Sequence, residues 1–526
     1  MASGSVVLAA DLHNREEKPA VPRVSERIRY VLQAAADIPA IEFGEQITTW
    51  SEVGDFASAL GALVGEADPE GGGAALVIRN RPSCAAAMAG LLAVERCVSI
   101  ITAIQPTLSL CAEVESLRPA VIVAHALDWT DELEAAVGRV GGAGFVIGEA
   151  DAGLSVGARP GLERAGAGAR GEIPADAAIL VPTSGTTGPA KRITVTWTWL
   201  ERFVRATDAP IVRGRGVIHA IPLATTGGVL TMMPWATRPL TLVLMERLDV
   251  NRWADLVARH KPKFAGLPPA GLRTLLEARP PREKLESLRA FVTGSAPLDP
   301  ALADAFEDAY GRPVLLTYGS TETGKVTGWP KDATIELRRG KRGSSGRVLA
   351  DVEVRILDQE TSAQLPTGEL GIMEVKNPNA RYQPPGGWIR TTDLGRLDED
   401  GYLFIEGRAD DVIIRGGFKV PLLELEQTMS RHPAVVHCAA TGLPDERLGQ
   451  VPAALVVLRP GVDPKPTEAD FMAWLKERIA PYKAPVRVRF VDEIPLNAML
   501  KTDRRMLRGL LADEPSAGPP MGRGDG

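Results

Sequence analysis

The chain has 526 residues, of which 45% are hydrophobic and 24% are charged, and its formal net charge at pH 7 is -6. A chain of this length and apolar content can bury large cores and should divide into more than one domain. The negative net charge excludes a general attraction to nucleic acid or to an anionic membrane, so a bound anion needs a local site. We therefore expect small-molecule substrates and no nucleic-acid partner.

The cysteines and the apolar segments bear on the environment of the protein. The cysteines have no CxxC or Cys/His spacing, which favours reduced, buried thiols over a zinc site or a disulfide framework. They are Cys84, Cys97, Cys111 and Cys438. The first residues lack a basic region, and no segment approaches the run of about 18 apolar residues that a membrane span requires. We expect a cytoplasmic protein without integral membrane association, and an oligomer is possible.

Short apolar runs alternate with longer helical stretches from residue 74 onward. The runs include AALVIR at 74–79, AVIVA at 120–124, AAILV at 177–181 and FVTG at 291–294. This alternation is typical of βαβ units, and it predicts an α/β fold with parallel sheets covered by helices on both faces. The stretch at 151–175 is rich in Gly and Ala and poor in large apolar residues, so we expect a connector between lobes there.

The pattern changes in the last third of the chain. After Gly343, strand-rich segments separated by turn residues predict a small antiparallel or barrel-like subdomain. A compact pattern of strands and helices then runs from about Val412 to Leu511, as expected of a small α+β domain. The residues at 514–526 are rich in Pro and Gly, and we expect them to be a disordered tail.

A loop rich in Gly, Ser and Thr, TSGTTGPAK, comes directly after the apolar run at 177–181 and one further proline. Backbone N–H groups, hydroxyls and a lysine in such a loop bind anions, which predicts a mobile polyphosphate clamp. A Walker A loop needs its lysine directly after the second glycine, so Lys191 excludes a P-loop NTPase. An ordinary flexible turn is the alternative. The candidate phosphate contacts are Thr183, Ser184, Gly185, Thr186, Thr187, Gly188 and Lys191.

Further motifs follow this loop in a fixed order. They are YGSTE at 318–322, TTDLG at 391–395, GRADDVIIRGGFKV at 407–420 and PLNAMLKTDRR at 495–505. Together with TSGTTGPAK, the ordered set resembles the core motifs of the adenylate-forming superfamily. This group contains acyl-CoA synthetases, aryl-CoA ligases, luciferases and peptide-synthetase adenylation domains. The resemblance extends over essentially the whole chain.

The resemblance implies both a domain organisation and a reaction. It implies a large, multi-lobed N-terminal adenylation domain at 1–409 and a small, mobile C-terminal domain at 410–513. A carboxylate would attack the α-phosphate of ATP and release pyrophosphate, and the acyl group of the acyl-AMP would then pass to a thiol. We therefore expect an ATP-dependent acid–CoA ligase that uses ATP, Mg2+ and coenzyme A. The alternatives are transfer to a carrier-protein thiol or to an amine, and a non-catalytic nucleotide-binding protein.

The resemblance also implies roles for single residues of the nucleotide site. Tyr318 would pack on adenine, Thr321 would bond the α-phosphate, and Glu322 would help to hold Mg2+. Asp393 would accept the ribose hydroxyls, with Arg408 as a second ribose or phosphate contact. Taken alone, each charged residue would be interpreted as a solvated surface group. The candidate AMP contacts are Ser295, Ala296, Pro297, Tyr318, Gly319, Ser320, Thr321, Asp393, Arg408 and Lys501.

The moving parts implied by the resemblance lie in the C-terminal domain. Lys501 matches the family lysine that bridges the carboxylate and the α-phosphate during adenylation, and we expect it to be catalytic together with Thr321 and Glu322. In this family the domain rotates about a hinge that corresponds to Asp410. The pair Gly416–Gly417 would then let a pantetheine arm lie against the backbone, although such a pair also makes an ordinary hairpin turn.

The acid-binding pocket is the part that the sequence determines least. The segment IPLATTGGV at 221–229 stands where acyl- and aryl-CoA ligases commonly carry an aromatic residue or His, and this chain has Ala224 and Thr225 there. A small, open wall would admit a bulky or polycyclic acid. Close packing of a helix on a sheet also requires small residues and is the alternative. The candidate pocket residues are Thr225, Thr226, Gly228, Val292, Gly294, Ser295, Gly319 and Gly324.

Overall fold

The structure is a computed structural model that describes residues 23–150, 153–166, 168, 170–182, 192–206, 214–381, 384–495 and 502–512. Within these ranges no helix combines the length and the apolar character that crossing a bilayer requires. Cys438 is half-buried, the other cysteines are buried, and all of them are free, as the spacing predicted. The predicted tail at 514–526 lies outside the described residues.

The first lobe contains a seven-stranded sheet in the order β7-β6-β5-β3-β4-β8-β9, whose inner strands are parallel. Alternate residues of β3 belong to two different core clusters, so helices cover both faces of the sheet, as predicted. The elements up to residue 196 are α1 (Val24–Ala34), β1 (Pro39–Phe43), β2 (Gln46–Thr49), α2 (Trp50–Ala67), β3 (Ala74–Ile78), α3 (Pro82–Ala93), β4 (Val98–Thr102), α4 (Thr107–Leu117), β5 (Val121–His125), α5 (Asp131–Arg139), β6 (Ala143–Ala150), β7 (Gly153–Ala158), β8 (Ala177–Pro182) and β9 (Arg192–Thr196).

The connector that we predicted at 151–175 is partly wrong. Strand β7 occupies 153–158 and pairs antiparallel with β6, so this stretch belongs to the first lobe. The strand lies at the edge of the sheet, and most of its residues are only half-buried. An edge strand does not need the large apolar residues of an inner strand, which explains why its composition resembled a linker.

The second lobe supplies two further sheets. One has the order β10-β11-β1-β2, and the other is the parallel sheet β12-β13-β14. The first pairs β1 with β11, so it ties the start of the chain to this lobe. The elements are α6 (Trp197–Ala206), β10 (Gly216–His219), α7 (Thr226–Ala236), β11 (Thr241–Leu244), α8 (Val250–His260), β12 (Phe264–Ala265), α9 (Pro269–Ala278), β13 (Ala290–Thr293), α10 (Pro300–Tyr310) and β14 (Val314–Leu316).

The third region is antiparallel, as the alternation of strands and turns predicted. A short hairpin of β15 and β16 leads into a six-stranded sheet in the order β17-β18-β22-β21-β20-β19. The elements are β15 (Gly319–Ser320), β16 (Gly324–Lys325), β17 (Thr327–Gly328), α11 (Ile335–Gly340), β18 (Ser344–Val348), β19 (Glu353–Leu357), β20 (Gly371–Lys376), β21 (Ile389–Leu397) and β22 (Tyr402–Arg408).

The C-terminal region has a sheet and core clusters of its own. The sheet has the order β24-β23-β26-β25, with β27 parallel to β26, and helices α12 and α13 contribute Met429 and Phe471 to one cluster. A separate core is what a domain that moves as a unit requires, although the boundary at 409/410 stays a prediction. The elements are β23 (Val412–Arg415), β24 (Phe418–Pro421), α12 (Leu422–Ser430), β25 (Val435–Asp445), β26 (Gly449–Leu458), α13 (Glu468–Lys476), β27 (Arg487–Phe490) and α14 (Arg504–Ala512).

Candidate active site

Most of the described candidate residues follow the carboxyl ends of parallel strands. Residues 294–297 come directly after β13, and Tyr318 comes two residues after β14, which pairs with β13. Ser295 has a φ of 67°, an unusual backbone conformation for a residue other than glycine. The carboxyl edge of an open parallel sheet is where α/β proteins bind ligands. The candidate residues of this segment therefore lie at the edge that ligands usually occupy.

The YGSTE motif is held as a tight turn. The hydroxyl of Ser320 accepts hydrogen bonds from the N–H groups of Glu322 (3.2 Å) and Thr323 (3.1 Å). The amide of Asn377 donates to the carbonyls of Thr323 (2.8 Å) and Lys325 (2.9 Å), which fixes the far side of the turn. Thr321 is half-buried and Glu322 is exposed. The turn therefore presents a hydroxyl and a carboxylate from a rigid backbone.

Glycine is required in this hairpin on steric grounds. A Cβ atom at Gly319 would lie 2.5 Å from the carbonyl oxygen of Gly324, and Gly324 itself has a φ of 67°. Real Cβ atoms do not approach a backbone oxygen so closely, so any side chain at Gly319 would open the hairpin. These contacts account for both glycines as packing requirements, whether or not they also line an acid pocket.

The motifs YGSTE and TTDLG meet through a half-buried polar contact. The hydroxyl of Tyr318 donates a short hydrogen bond to the carboxylate of Asp393. Burial raises the pKa of the Tyr318 hydroxyl, and the charge of Asp393 raises it further, so the phenol stays protonated as the donor. Asp393 lies opposite Arg408 in the register of β21 and β22. The structure thus brings together three residues that the sequence separates by up to ninety positions.

The side chain of Arg408 lies at the rim of this cluster. Its Nε atom is 3.8 Å from Oδ1 of Asp393, and its Nη2 atom donates to the hydroxyl of Thr392 at 2.6 Å. The side chain of Arg408 is 46% exposed, whereas that of Asp393 is 21% exposed. The carboxylate is therefore sheltered and neutralised on one side while the cation faces solvent, an arrangement suited to a polar or anionic ligand.

The segment at 221–229, which contains candidate residues of the acid pocket, contacts the same YGSTE turn. The hydroxyls of Thr226 and Thr321 are 3.2 Å apart, so the start of α7 is in hydrogen-bond contact with the YGSTE motif. The hydroxyl of Thr225 instead caps α7, since it accepts from the N–H of Gly228 at 3.0 Å. A Cβ atom at Gly228 would lie 2.3 Å from the carbonyl oxygen of Pro222. Capping and close packing account for Thr225 and Gly228, which favours the packing alternative at these two positions.

Sequence reasoning missed Arg381, whose side chain hydrogen-bonds to the backbone of the YGSTE turn. Its Nη1 atom donates to the carbonyl of Thr321 at 3.0 Å, and its guanidinium lies 4.9 Å from the ring centre of Trp199. Burial lowers the pKa of Arg381 to about 10, against the opposing effect of the charge of Glu322. Arg381 lies in no motif that we identified, and its importance follows only from a contact across 60 residues.

Asn80 was missed for the same reason. Its amide donates to the carbonyls of Ile221 (3.0 Å) and Met245 (2.9 Å), and its side-chain oxygen accepts from the N–H of Leu223 (2.8 Å). Asn80 is 8% exposed, so these bonds are protected from competition by water. A single buried amide therefore fixes the segment that leads into α7.

Only some of the remaining candidate residues lie within the described part of the chain. The loop at 183–191 and Lys501 lie outside the described residues, and of Asp410 only the backbone, in the turn after β22, is described. Gly416 and Gly417 form the turn between β23 and β24 with φ values of 55° and 89°. The positive φ explains this glycine pair as a hairpin turn, and its role toward pantetheine stays a prediction.

The comparison with known protein families decides which group the chain belongs to. The model described as AMP-binding enzyme matches residues 29–381. The chain belongs to the AMP-binding enzyme family. A second model, described as AMP-binding enzyme C-terminal domain, matches residues 424–501, in agreement with the separate C-terminal sheet. The predicted resemblance to adenylate-forming enzymes and the predicted α/β fold class are confirmed.

Similar proteins in the AMP-binding enzyme family confirm the enzyme class. The chain is 33% identical over 349 residues to a Bacillus subtilis (strain 168) protein named as the acyl–CoA ligase YdaB, covering 64% of this chain and 68% of YdaB. It is 33% identical over 356 residues to the 2-succinylbenzoate–CoA ligase of Geobacillus kaustophilus (strain HTA426), covering 64% and 70%. The amide bond synthetase McbA of Marinactinospora thermotolerans has a similar structure, with a TM-score of 0.72, 26% identity and coverage of 93% and 99%. The prediction of an AMP-forming acid–CoA ligase is confirmed at the level of enzyme class.

Proposed function

We propose that this chain activates an aryl or larger ring-containing carboxylic acid with ATP, releases pyrophosphate, and transfers the acyl group from acyl-AMP to coenzyme A. The observation that carries the proposal is the junction of two motifs, where the Tyr318 hydroxyl donates to the Asp393 carboxylate. The aryl preference rests on Ala224, a small buried residue where related ligases commonly place an aromatic or His. The named acid of one relative, 2-succinylbenzoate, is also aryl.

The nucleotide would lie against Tyr318 and Asp393, with adenine on the phenol ring and the ribose at the carboxylate. The half-buried phenol ring offers an aromatic face to adenine, and its hydroxyl orients the carboxylate next to it. An ionised carboxylate can accept from several donors at its two oxygens, a capacity that suits a group that binds both a phenol and ribose hydroxyls. We propose that Arg408 contacts the ribose or a phosphate, and the 46% exposure of its side chain beside Asp393 supports this role.

Thr321 and Glu322 would serve the phosphates. We propose that the Thr321 hydroxyl donates to the α-phosphate and that Glu322 is a ligand of Mg2+. In the described part of the chain, no group of three or more His, Cys, Asp and Glu side chains could hold a metal ion. Mg2+ at nucleotide sites is usually bound by one or two carboxylates together with phosphates and water, and a single exposed glutamate fits that donor set. When bound, the ion would neutralise part of the phosphate charge.

Lys501 would supply the positive charge that the first step requires. The attack of a carboxylate on a phosphate brings two anions together, and a point-charge ammonium stabilises the negative charge that builds up on several oxygens. We expect Lys501→Ala to lower acid-dependent pyrophosphate release about 100-fold or more while ATP binding is retained. The control is Lys476→Ala, which removes an exposed lysine from the same domain. Near-normal adenylation by Lys501→Ala would contradict the assigned role.

The acid and the acceptor can be determined together. Pyrophosphate release would be screened over short, long-chain, aryl and polycyclic carboxylic acids, each with coenzyme A, with an amine, and with neither, and the products identified by mass. An acyl-CoA of an aryl acid is the expected product. An amide in place of a thioester would favour the second candidate, which the structural similarity to an amide bond synthetase supports. Pyrophosphate release with none of the acids would overturn the proposal in favour of non-catalytic nucleotide binding.

A further inference from the structure

Arg504 forms a three-sided ion cluster beside the predicted hinge. It is the first residue of α14, three positions after Lys501. Its Nε atom lies 3.1 Å from Oδ1 of Asp411 and its Nη2 atom lies 3.1 Å from Oδ2, which is a bidentate pair. Its Nη1 atom donates to Glu426 at 3.1 Å and to the carbonyl of Ala440. One guanidinium thus joins the start of α14 to a turn, a helix and a strand.

The cluster is sheltered, so its contacts are strong ones. The side chains of Arg504 and Glu426 are only 20% and 19% exposed. Burial lowers the pKa of Arg504, but the charges of Glu426 and Asp411 outweigh burial and raise it, so the guanidinium stays charged. Burial in turn raises the pKa of Glu426, and Arg504 opposes that shift. Removing the cation would leave two carboxylates without their partner, which is costly in a sheltered site.

The partners of Arg504 are placed where catalysis would use them. Asp411 belongs to the turn at 409–411 that links β22 to β23, and it is the neighbour of Asp410. On the other side, the N–H of Asp503 donates to the carbonyl of Pro495 at 2.8 Å, so the two ends of the segment that contains Lys501 are joined. The base of that segment is therefore bonded to the hinge turn through Arg504.

We propose that Arg504 is a positioning residue for Lys501, holding the base of the lysine segment on the hinge turn through Asp411 and on α12 through Glu426. This inference rests on the proposed function, because it requires Lys501 to act in adenylation. Arg504 has no direct role in the chemistry. Its contribution is to fix where the ammonium stands, and an error of about 1 Å at such a group lowers the rate about 100-fold.

The two half-reactions separate positioning from simple stabilisation. We would first measure ATP–pyrophosphate exchange by Arg504→Gln with the acid that gives the fastest pyrophosphate release. We would then supply the chemically prepared acyl-AMP of that acid together with coenzyme A and measure thioester formation. The expected result is a loss of about 10- to 100-fold in kcat for exchange, with KM for ATP little changed and thioester formation close to wild type. Equal losses in both half-reactions, or no loss in either, would overturn the proposal.

Matched variants keep the test decisive. Arg505→Gln removes the neighbouring exposed cation and should leave both half-reactions unchanged. Glu426→Gln removes a charge but keeps an acceptor for the N–H of Ala440, so it should fold even if Arg504→Gln does not, and it should lower exchange selectively. An unselective effect of Glu426→Gln would count against positioning.

A double variant of Arg504→Gln and Lys501→Ala distinguishes a failure of this inference from a failure of the proposed function. If Arg504 acts through Lys501, adding Arg504→Gln to Lys501→Ala should cause no further loss of exchange, because the lysine is already absent. An additional loss in the double variant would refute the inference. If Lys501→Ala alone retained exchange, the proposed function would fail at that residue. If Lys501→Ala lost exchange and Arg504→Gln did not, only the role of Arg504 would fail.

Discussion

The hydrogen bond from Tyr318 to Asp393 gives a quantitative test of the nucleotide site. Tyr318→Phe removes the donor and keeps the ring, so stacking on adenine should be retained while the carboxylate loses its fixed orientation. This hydrogen bond is already made without ATP, so the part that appears in ATP binding is the orientation it gives the carboxylate. A hydrogen bond to a charged group contributes about 1.5–3 kcal/mol, and each 1.4 kcal/mol lost from binding is a factor of about ten in Kd. The carboxylate of Asp393 is 21% exposed and keeps Arg408 at 3.8 Å, so the lower end of that range applies. We expect the Kd for ATP to rise about tenfold.

Equilibrium titration with ATP measures this effect without any acid, and ATP–pyrophosphate exchange at saturating ATP measures the chemical step. The rise should lie in Kd and in KM for ATP, with kcat nearly unchanged, because the lost contact is made equally in the ground state and in the transition state. Asp393→Asn should give a similar rise, and the double variant should show less than the sum of the two free-energy changes.

A suitable control removes a phenol hydroxyl elsewhere in the same region. The ring of Tyr402 lies 5.4 Å from that of Trp329 and 5.0 Å from the ammonium of Lys341, away from the Tyr318 contact. Tyr402→Phe should therefore leave the Kd for ATP unchanged. An unchanged Kd in Tyr318→Phe, or strictly additive effects with Asp393→Asn, would refute the assignment of this pair to ATP.

Two further predictions concern the framework of the site. Arg338→Met should lower the free energy of unfolding by about 3 kcal/mol, because among the described residues it leaves the buried carboxylate of Glu307 with Arg339, at 3.1 Å, as its one charged partner. Denaturant unfolding would show this loss, and Arg342→Met, at a side chain 53% exposed, should have little effect. Gly319→Ala should lower adenylation kcat about 100-fold, because the new Cβ atom would lie 2.5 Å from the carbonyl oxygen of Gly324 and would open the hairpin. Wild-type exchange rates would contradict that.

Sequence reasoning works for the inner strands of this fold and less well at its edges. The run at 74–78 is fully buried between two layers of helices, and burial on both faces requires an unbroken apolar stretch that is visible in the sequence. Strand β7 has a neighbour on one side only, so small residues suffice and the composition resembles a linker. The difference follows from how much of each strand is covered.

The same limit applies to the site. Motif residues such as Tyr318 and Asp393 are recognised because the order of the motifs is itself a signal. Asn80 and Arg381 have no such signal. The partners of Asn80 lie 141 to 165 residues away along the chain, and the partner of Arg381 lies 60 residues away. Ala224 illustrates a third case, in which a departure from the family pattern is visible in the sequence but its effect on the acid depends on neighbouring side chains.

The ion cluster at Arg504 constrains how the proposed domain rotation can occur. If the C-terminal domain turns at Asp410, as the family resemblance implies, then Asp411 must turn with the domain or separate from Arg504. Leaving one charge of a buried ion pair without its partner costs about 3–5 kcal/mol, whereas two functional states of a protein usually differ by only a few kcal/mol. The pair should therefore stay closed in both states. In such a rotation helix α14 and the hairpin at Gly416–Gly417 would then move as one body, because Arg504 bonds the first residue of α14 to the turn that precedes β23.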